Sequence, residues 1–173
     1  MYLITAYFDD ETNKILQDHI NAVAKVTGNH FMADNHVPPH MTLSALESRT
    51  SDELKEGFFE FADSISAHDI VIASVGMFFP YVLYAAPVPN DFLSDIPGRI
   101  SEIYRNTEGV SVSRYYSVDN WMPHITVAKR LDRAQMLGAI DLLRDRFVPI
   151  YGKVVRVGLS EVNPHFDVES RMI

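Results

Sequence analysis

Two short stretches of the chain are built alike around a histidine and a threonine: Pro39-His40-Met41-Thr42-Leu43 and Pro123-His124-Ile125-Thr126-Val127. Each reads proline, histidine, apolar, threonine, apolar, and the two histidines stand 84 residues apart. One such match in a chain this long arises by chance on the order of a few times per thousand sequences, and a second is far rarer. On a strand, alternate side chains share a face. His40 with Thr42, and His124 with Thr126, would then each present an imidazole beside a hydroxyl, while Met41, Leu43, Ile125 and Val127 turn to a core. Two such strands facing one another would make a cleft with an imidazole on either side and two hydroxyls between. That set suits in-line displacement at phosphorus. A neutral imidazole takes a proton from the attacking water or hydroxyl, a protonated one gives a proton to the departing oxygen, and the hydroxyls donate to the non-bridging oxygens. Imidazole serves both tasks because its unperturbed pKa of about 6.5 populates both forms near neutrality. No metal or other cofactor is needed for these steps.

The surrounding pattern supplies elements to hold the two strands. Pro39 and Pro123 push the residues before them into extended geometry at a strand entrance. Tyr2 to Phe8 reads as a strand, Asp9 and Asp10 can cap a helix, and that helix carries Ile15, Leu16, Ile20, Val23 and Val26 on one face up to Gly28. His40 to Leu46 alternates like a half-buried strand, and Thr50 with Glu53 predicts a capping box for a helix bearing Leu54, Phe58, Phe61, Ala62 and Ile65. Ile70 to Phe79 is strand-like, interrupted by Gly76. The second half repeats the order: a strand over Tyr81 to Ala86, helix character from Asn90 to Asn106 that Pro97 and Gly98 are expected to break, and a strand from His124 to Ala128. Asp132 then caps a helix with Met136, Leu137, Ile140, Leu143 and Phe147 inward, and Lys153 to Val162, containing Gly158, closes the regular structure. His40 to Gly76 spans 36 residues and His124 to Gly158 spans 34, with one helix inside each interval. The expected fold is therefore α+β: one bilobal domain over residues 1–173, with two pseudo-symmetric antiparallel sheets flanking a central cleft and helices on the outside.

Composition narrows the chemistry. The 173 residues include no cysteine, which excludes a disulfide framework, thiolate catalysis and Cys-ligated metal centres. A formal charge of −8 argues against an extended nucleic-acid surface. The charge is uneven, however: residues 99–156 hold ten Lys or Arg against six Asp or Glu, whereas residues 1–98 hold four against fourteen. A local anion site in the second half fits that imbalance. No run approaches the roughly 20 apolar residues of a membrane span, and the N-terminus lacks a signal-peptide pattern, so a soluble cytoplasmic protein is expected. Arg130 shares strand parity with His124 and Thr126 and would reach a bound phosphate if the strand continued that far, with Lys129 pointing the other way. Tyr116 and Trp121, together with Tyr115, precede the second motif and are candidates to stack on a base; Phe79, with Phe78 and Tyr81, is another. His36 lies four residues before His40, but Pro38 and Pro39 forbid the shared helix face of a zinc motif, and the other histidines are scattered, so no metal site is expected.

The two motifs resemble those of the two-histidine (2H) phosphoesterase superfamily, especially its bacterial 2′-5′ RNA ligase or RNA 2′,3′-cyclic phosphodiesterase branch. The likeness includes the opening strand and helix, Val75-Gly76-Met77-Phe78, the Ala128-Lys129-Arg130 continuation and Val157-Gly158-Leu159, and runs over nearly the whole chain. It implies a metal-independent, bilobal α+β enzyme acting on cyclic phosphates or phosphodiesters of nucleotides and RNA ends, with His40, Thr42, His124 and Thr126 as its catalytic set. The expected partner is a small nucleotide or an RNA terminus carrying a phosphate. Hydrolysis is expected ahead of ligation, because an acidic chain lacks the broad basic surface a tRNA-sized substrate would want. Two other readings use the same residues: a protein that holds a nucleotide or RNA end without chemistry, and a histidine-ligated metal hydrolase.

Overall fold

The computed structural model describes residues 1–162 and 164–173. The first half runs β1 (Tyr2–Phe8), α1 (Asp10–Thr27), the single turn α2 (Phe31–Asp34), β2 (Met41–Glu47), α3 (Asp52–Asp63) and β3 (His68–Phe78). The second runs β4 (Val82–Pro87), α4 (Asp91–Tyr104), the two-residue β5 (Ser111–Val112), a 3-10 turn over Arg114–Tyr116, β6 (Ile125–Ala128), α5 (Arg133–Arg146), β7 (Ile150–Glu161) and β8 (Phe166–Met172). Local chemistry sets several boundaries. The Asp9 carboxylate accepts from the Thr12 amide at 2.9 Å to start α1, and Gly28, at φ 70°, closes it in the left-handed region that glycine adopts without penalty. Asp132 and Gln135 form a reciprocal capping box at α5.

All strand pairings are antiparallel and join into one eight-stranded sheet. The long β7 divides its length: residues 150–154 pair with β3, residues 154–161 pair with β1, and residues 156–161 pair on the other side with β8. Two four-stranded halves result, β8-β7-β1-β2 and β7-β3-β4-β6. They share β7 and meet again at Met41 opposite Ile125. These halves are the two expected sheets, hydrogen-bonded into a single ladder. One continuous apolar core runs through both, from Ile4, Met41 and Leu43 to Ile125, Val127 and Leu159.

The helices pack in pairs. Gln135 of α5 donates to the Thr27 carbonyl of α1 at 3.1 Å, and the Tyr104 hydroxyl of α4 donates to the Leu54 carbonyl of α3 at 2.8 Å. A Cβ at Gly57 would fall 2.8 Å from the Tyr104 ring, so glycine is what lets α3 and α4 approach.

Several details depart from the sequence pattern. At α3 the cap position is Ser51, without a side-chain cap bond, and Glu53 instead accepts from Ser48 Oγ and from the Arg49 amide at 3.2 Å. Helix α4 runs through Pro97 and Gly98 unbroken, because Leu93, Ile96, Ile100 and Tyr104 are all buried, and that packing outweighs one missing backbone bond. Strand β3 likewise continues through Gly76. Leu137 faces solvent at 60% exposure. The largest departure is β8, which follows the point where apolar alternation ends. Its residues are mostly charged or exposed, as suits a strand at a sheet edge, so pairing with β7 and not apolar periodicity makes it a strand. Among the described residues no helix is long and apolar enough to cross a membrane.

Candidate active site

The pairing of Met41 with Ile125 fixes the centre of the site. Both side chains are fully buried in the core, so their sequence neighbours emerge on the opposite face. Continuing the antiparallel register by one residue in each direction sets His40 across from Thr126 and Thr42 across from His124. The four side chains line one cavity of about 400 Å³, with Phe78, Tyr115, Tyr116, Lys129 and His165 among the other walls. A depression of about 330 Å³ between α3 and α4, lined by Asp63, Asp95 and Arg99 among others, has no histidine.

The two imidazoles are held the same way. His40 Nδ1 lies 2.8 Å from the Pro38 carbonyl, and His124 Nδ1 lies 2.8 Å from the Met122 carbonyl, in each case two residues upstream. A carbonyl only accepts, so both Nδ1 atoms carry hydrogen and both Nε2 atoms are left to take or give a proton. The prolines of the motifs sit inside these loops, between the histidine and its carbonyl partner. Burial lowers the pKa of both histidines. For His40 it drops to about 4, with the Pro38 bond opposing and the neighbouring His165 and His124 adding to the fall. For His124 burial again dominates, the Met122 bond opposes it and Lys129 adds to the fall.

The neighbouring strands extend the symmetry outward. On β1, Thr5 pairs with Thr42, and beyond it Gly158 of β7 pairs with Thr5; on β4, Tyr84 pairs with Thr126, and Gly76 of β3 pairs with Tyr84. The duplicated glycines make room. A Cβ at Gly76 would lie 2.5 Å from the Tyr84 ring, and one at Gly158 would lie 2.8 Å from the Asp167 carboxylate and 2.9 Å from the Tyr7 ring. Tyr7 stands 6.5 Å from His40 and Tyr84 stands 5.7 Å from His124, centroid to centroid.

What lies behind each tyrosine differs. Around His124 the company is aromatic: Phe78 meets it edge-on at 4.8 Å and also packs on Tyr84 at 4.4 Å. Behind His40 is a polar network. The Tyr7 hydroxyl donates to Asp167 Oδ1 and lies 2.7 Å from His165 Nε2. Asp167 also accepts from Ser160 Oγ at 2.7 Å and from Arg156 at 2.7 Å, and the Arg156 guanidinium covers the Tyr7 ring at 3.7 Å. Despite partial burial, these donors hold the Asp167 carboxyl well below the usual carboxylate range. Burial and the Asp167 carboxylate raise the Tyr7 phenol to about 12.

The other candidates divide. Tyr116 lines the cavity beside Thr42. Trp121 is a strut and not a cavity wall: its Nε1 donates to the Thr42 carbonyl at 3.1 Å. Phe79 is 83% exposed and outside the lining, while its neighbour Phe78 is inside. Arg130 does not extend the motif's parity, because β6 ends at Ala128 and Arg130 takes φ 60°. Its guanidinium lies over the Phe31 ring at 4.6 Å, and Lys129, expected to face away, is on the cavity wall just past the end of β6. Neither the strand end at Ala128 nor the left-handed Arg130 has a signal in Ala-Lys-Arg. Sequence reasoning misses His165 and Asp167, which lie before and within the unannounced β8; their spacing of two is the one hint. Among the described residues no three of His, Asp and Glu are grouped to hold a metal ion.

The chain matches the 2′-5′ RNA ligase superfamily over residues 15–164. Its fold is similar to a crystal structure described as a phosphoesterase, at 14% identity and a TM-score of 0.63, with 99% of this chain and 97% of that one covered. It is also similar to the crystal structure of TT0787 of Thermus thermophilus, at 18% identity and a TM-score of 0.60, with the same coverage. At these identities the likeness concerns fold alone. No curated protein matches. The family match contains both histidine motifs and the strands that carry them, and with it the chain belongs to the 2′-5′ RNA ligase superfamily of two-histidine phosphoesterases.

Proposed function

We propose that the chain hydrolyses a 2′,3′-cyclic phosphate, or a related phosphodiester of a nucleotide or RNA end, by general acid–base catalysis between His40 and His124. The observation that carries this reading is the register about Met41 and Ile125, with two imidazoles whose Nδ1 atoms are both committed to carbonyls. One Nε2 accepts the proton of a water attacking phosphorus in line. The other gives a proton to the ribose oxygen as its bond to phosphorus breaks, leaving a 2′- or 3′-phosphate. Thr42 and Thr126 donate hydrogen bonds to the non-bridging oxygens, and Lys129 on the wall offsets their charge. Every group this scheme uses is a side chain of the cleft. With an RNA hydroxyl in place of water, the same forward step would join that oxygen to phosphorus as one ring bond from ribose oxygen to phosphorus breaks, which is how ligation of the 2′-5′ type would arise from the same site; the acidic chain favours hydrolysis of small substrates.

The test is turnover of nucleoside 2′,3′-cyclic phosphates, cyclic-phosphate-ended oligonucleotides and 2′-5′-linked dinucleotides in the presence of chelator, with products resolved as 2′- or 3′-phosphates. Release of one phosphate isomer without added metal is expected. A tight complex whose ligand stays intact across the whole panel would make the protein a binder, and activity that chelator abolishes and a divalent ion restores would make it a metal hydrolase.

A further inference from the structure

The duplication gives two histidines with matching strands and matching carbonyl partners, each with a tyrosine nearby, so the motifs alone leave their roles interchangeable. The structure breaks that equivalence at one place. His165, the residue before β8, stands in the cavity wall, where its ring lies 4.9 Å from the His40 ring at an interplanar angle of 32°. His165 is 8% exposed at its side chain. The single proton of the Tyr7 phenol goes to Asp167, so at 2.7 Å the His165 Nε2 is the donor to the phenol oxygen. The Asp167 carboxylate stands 3.6 Å from that same Nε2. Asp167 lies within ion-pair distance of His165, whereas it favours charge on His40 without pairing with it, and there His165 and His124 oppose it. The remaining groups facing His165 are Arg156 and Ser160, both bound to Asp167, and His40 itself, with His124 across the cleft. The family match covers residues 15–164, so Tyr7, His165 and Asp167 all lie outside it.

We propose that His165 is a positioning residue for His40: held by Tyr7 and Asp167, it covers that imidazole and carries the positive charge of the corner, so that His40 accepts the proton and His124 donates it. Two effects act together. The rings of His165 and Tyr7 shut water away from His40, which disfavours its charged form, and a cation on His165 repels a second one a ring's width away. His124, backed by Phe78 and Tyr84, has no such ring over it; the cation that acts on it is the Lys129 side chain, which also disfavours its charged form. The assignment rests on the acid–base reading above, and it is read out without substrate.

The experiment follows the imidazole carbon resonances of the full chain from pH 3.5 to pH 9 by NMR, in the wild type, His165→Phe and His165→Ala. In the wild type His40 should titrate below His124. His165→Phe keeps the covering ring and removes the charge, and His165→Ala removes both. The His40 midpoint should rise in both, by about one unit (tenfold in proton affinity) for the phenylalanine variant and by more for alanine, with His124 unmoved. The acidic limb of kcat/KM should rise with it. If either variant fails to fold, Tyr7→Phe, which frees His165 by removing one hydroxyl, should move His40 in the same direction by a smaller amount. An unmoved His40 midpoint, or a joint shift of His40 and His124, overturns the assignment. A chain that turns over none of the cyclic phosphates contradicts the proposed activity, while the His40 midpoint still decides what His165 does.

Discussion

The His40 corner and the His124 corner begin as copies and end as different environments. Both imidazoles bind a carbonyl two residues upstream at 2.8 Å, both have a threonine two residues downstream, and both have a tyrosine seated over a glycine of the facing strand. Past that point Tyr84 meets Phe78, and Tyr7 meets Asp167, His165 and Arg156. The shared part comes from strands present in each half, and the unshared part comes from β8, whose place in the other half is taken by residues 150–154 of β7, paired with residues 68–72 and short of Gly76. Duplication by itself supplies two identical proton-transfer groups. A reaction that needs an acid and a base must make them unequal, and in the proposed assignment the contacts of one edge strand do so.

The comparison can be broken from either side. His40→Ala and His124→Ala should each lower kcat/KM for a 2′,3′-cyclic nucleotide by about 10²- to 10⁴-fold. Either variant working at full rate would end the equivalence of the two motifs. Thr42→Ala and Thr126→Ala remove one donor each and should cost about 10- to 1000-fold, mostly in kcat; a variant that changes KM alone would argue against a role in the transition state. Gly76→Ala and Gly158→Ala each set a methyl against a tyrosine and should lower stability by about 1–3 kcal/mol, measured by urea unfolding. They should part in their effects on the histidines, since the first displaces Tyr84 beside His124 and the second displaces Tyr7 and Asp167 beside His40. Lys129→Ala should raise KM by about tenfold and Arg130→Ala should leave it within about twofold, because a partly screened charge on an anion contributes about 1 kcal/mol. The reverse order would place Arg130, not Lys129, at the phosphate.

A further effect concerns stability against pH. The folded-state pKa of His40, about 4, lies below its ordinary value of 6.5, so between those values the unfolded chain binds a proton that the folded chain does not. Stability from this source is complete above 6.5 and is lost as pH falls towards about 4. His40→Gln should flatten that part of the melting curve, and a slope unchanged by the substitution would mean that His40 is not held neutral.

Much of this is legible in the residues. The alternation around each motif, the capping aspartates and the Val-Gly pairs give the order of elements, and parity alone separates His40 and Thr42 from Met41 and Leu43. The α+β fold with antiparallel halves around a cleft agrees with that reading. What escapes it depends on contacts distant in sequence. Pro97 reads as a helix breaker until Leu93, Ile96 and Ile100 are seen buried together. Arg130 reads as facing the site until a left-handed backbone turns it onto Phe31. Phe79 and Trp121 read as stacking surfaces, whereas one is exposed outside the cavity and the other anchors the Thr42 carbonyl. Strand β8 has no apolar period to announce it, so the network behind His40 has no signal in the pattern.

The division of labour between the two histidines is tested most directly by the pH dependence of kcat/KM for a nucleoside 2′,3′-cyclic phosphate, measured for the wild type and for each histidine variant. With His40 as base and His124 as acid, the profile is a bell whose acidic limb lies near 4 and whose alkaline limb falls below 6.5. The residual activity of His40→Ala should lack the acidic limb, and that of His124→Ala should lack the alkaline one. The opposite pairing of limbs and variants, or a bell that survives intact in either variant, would contradict the account.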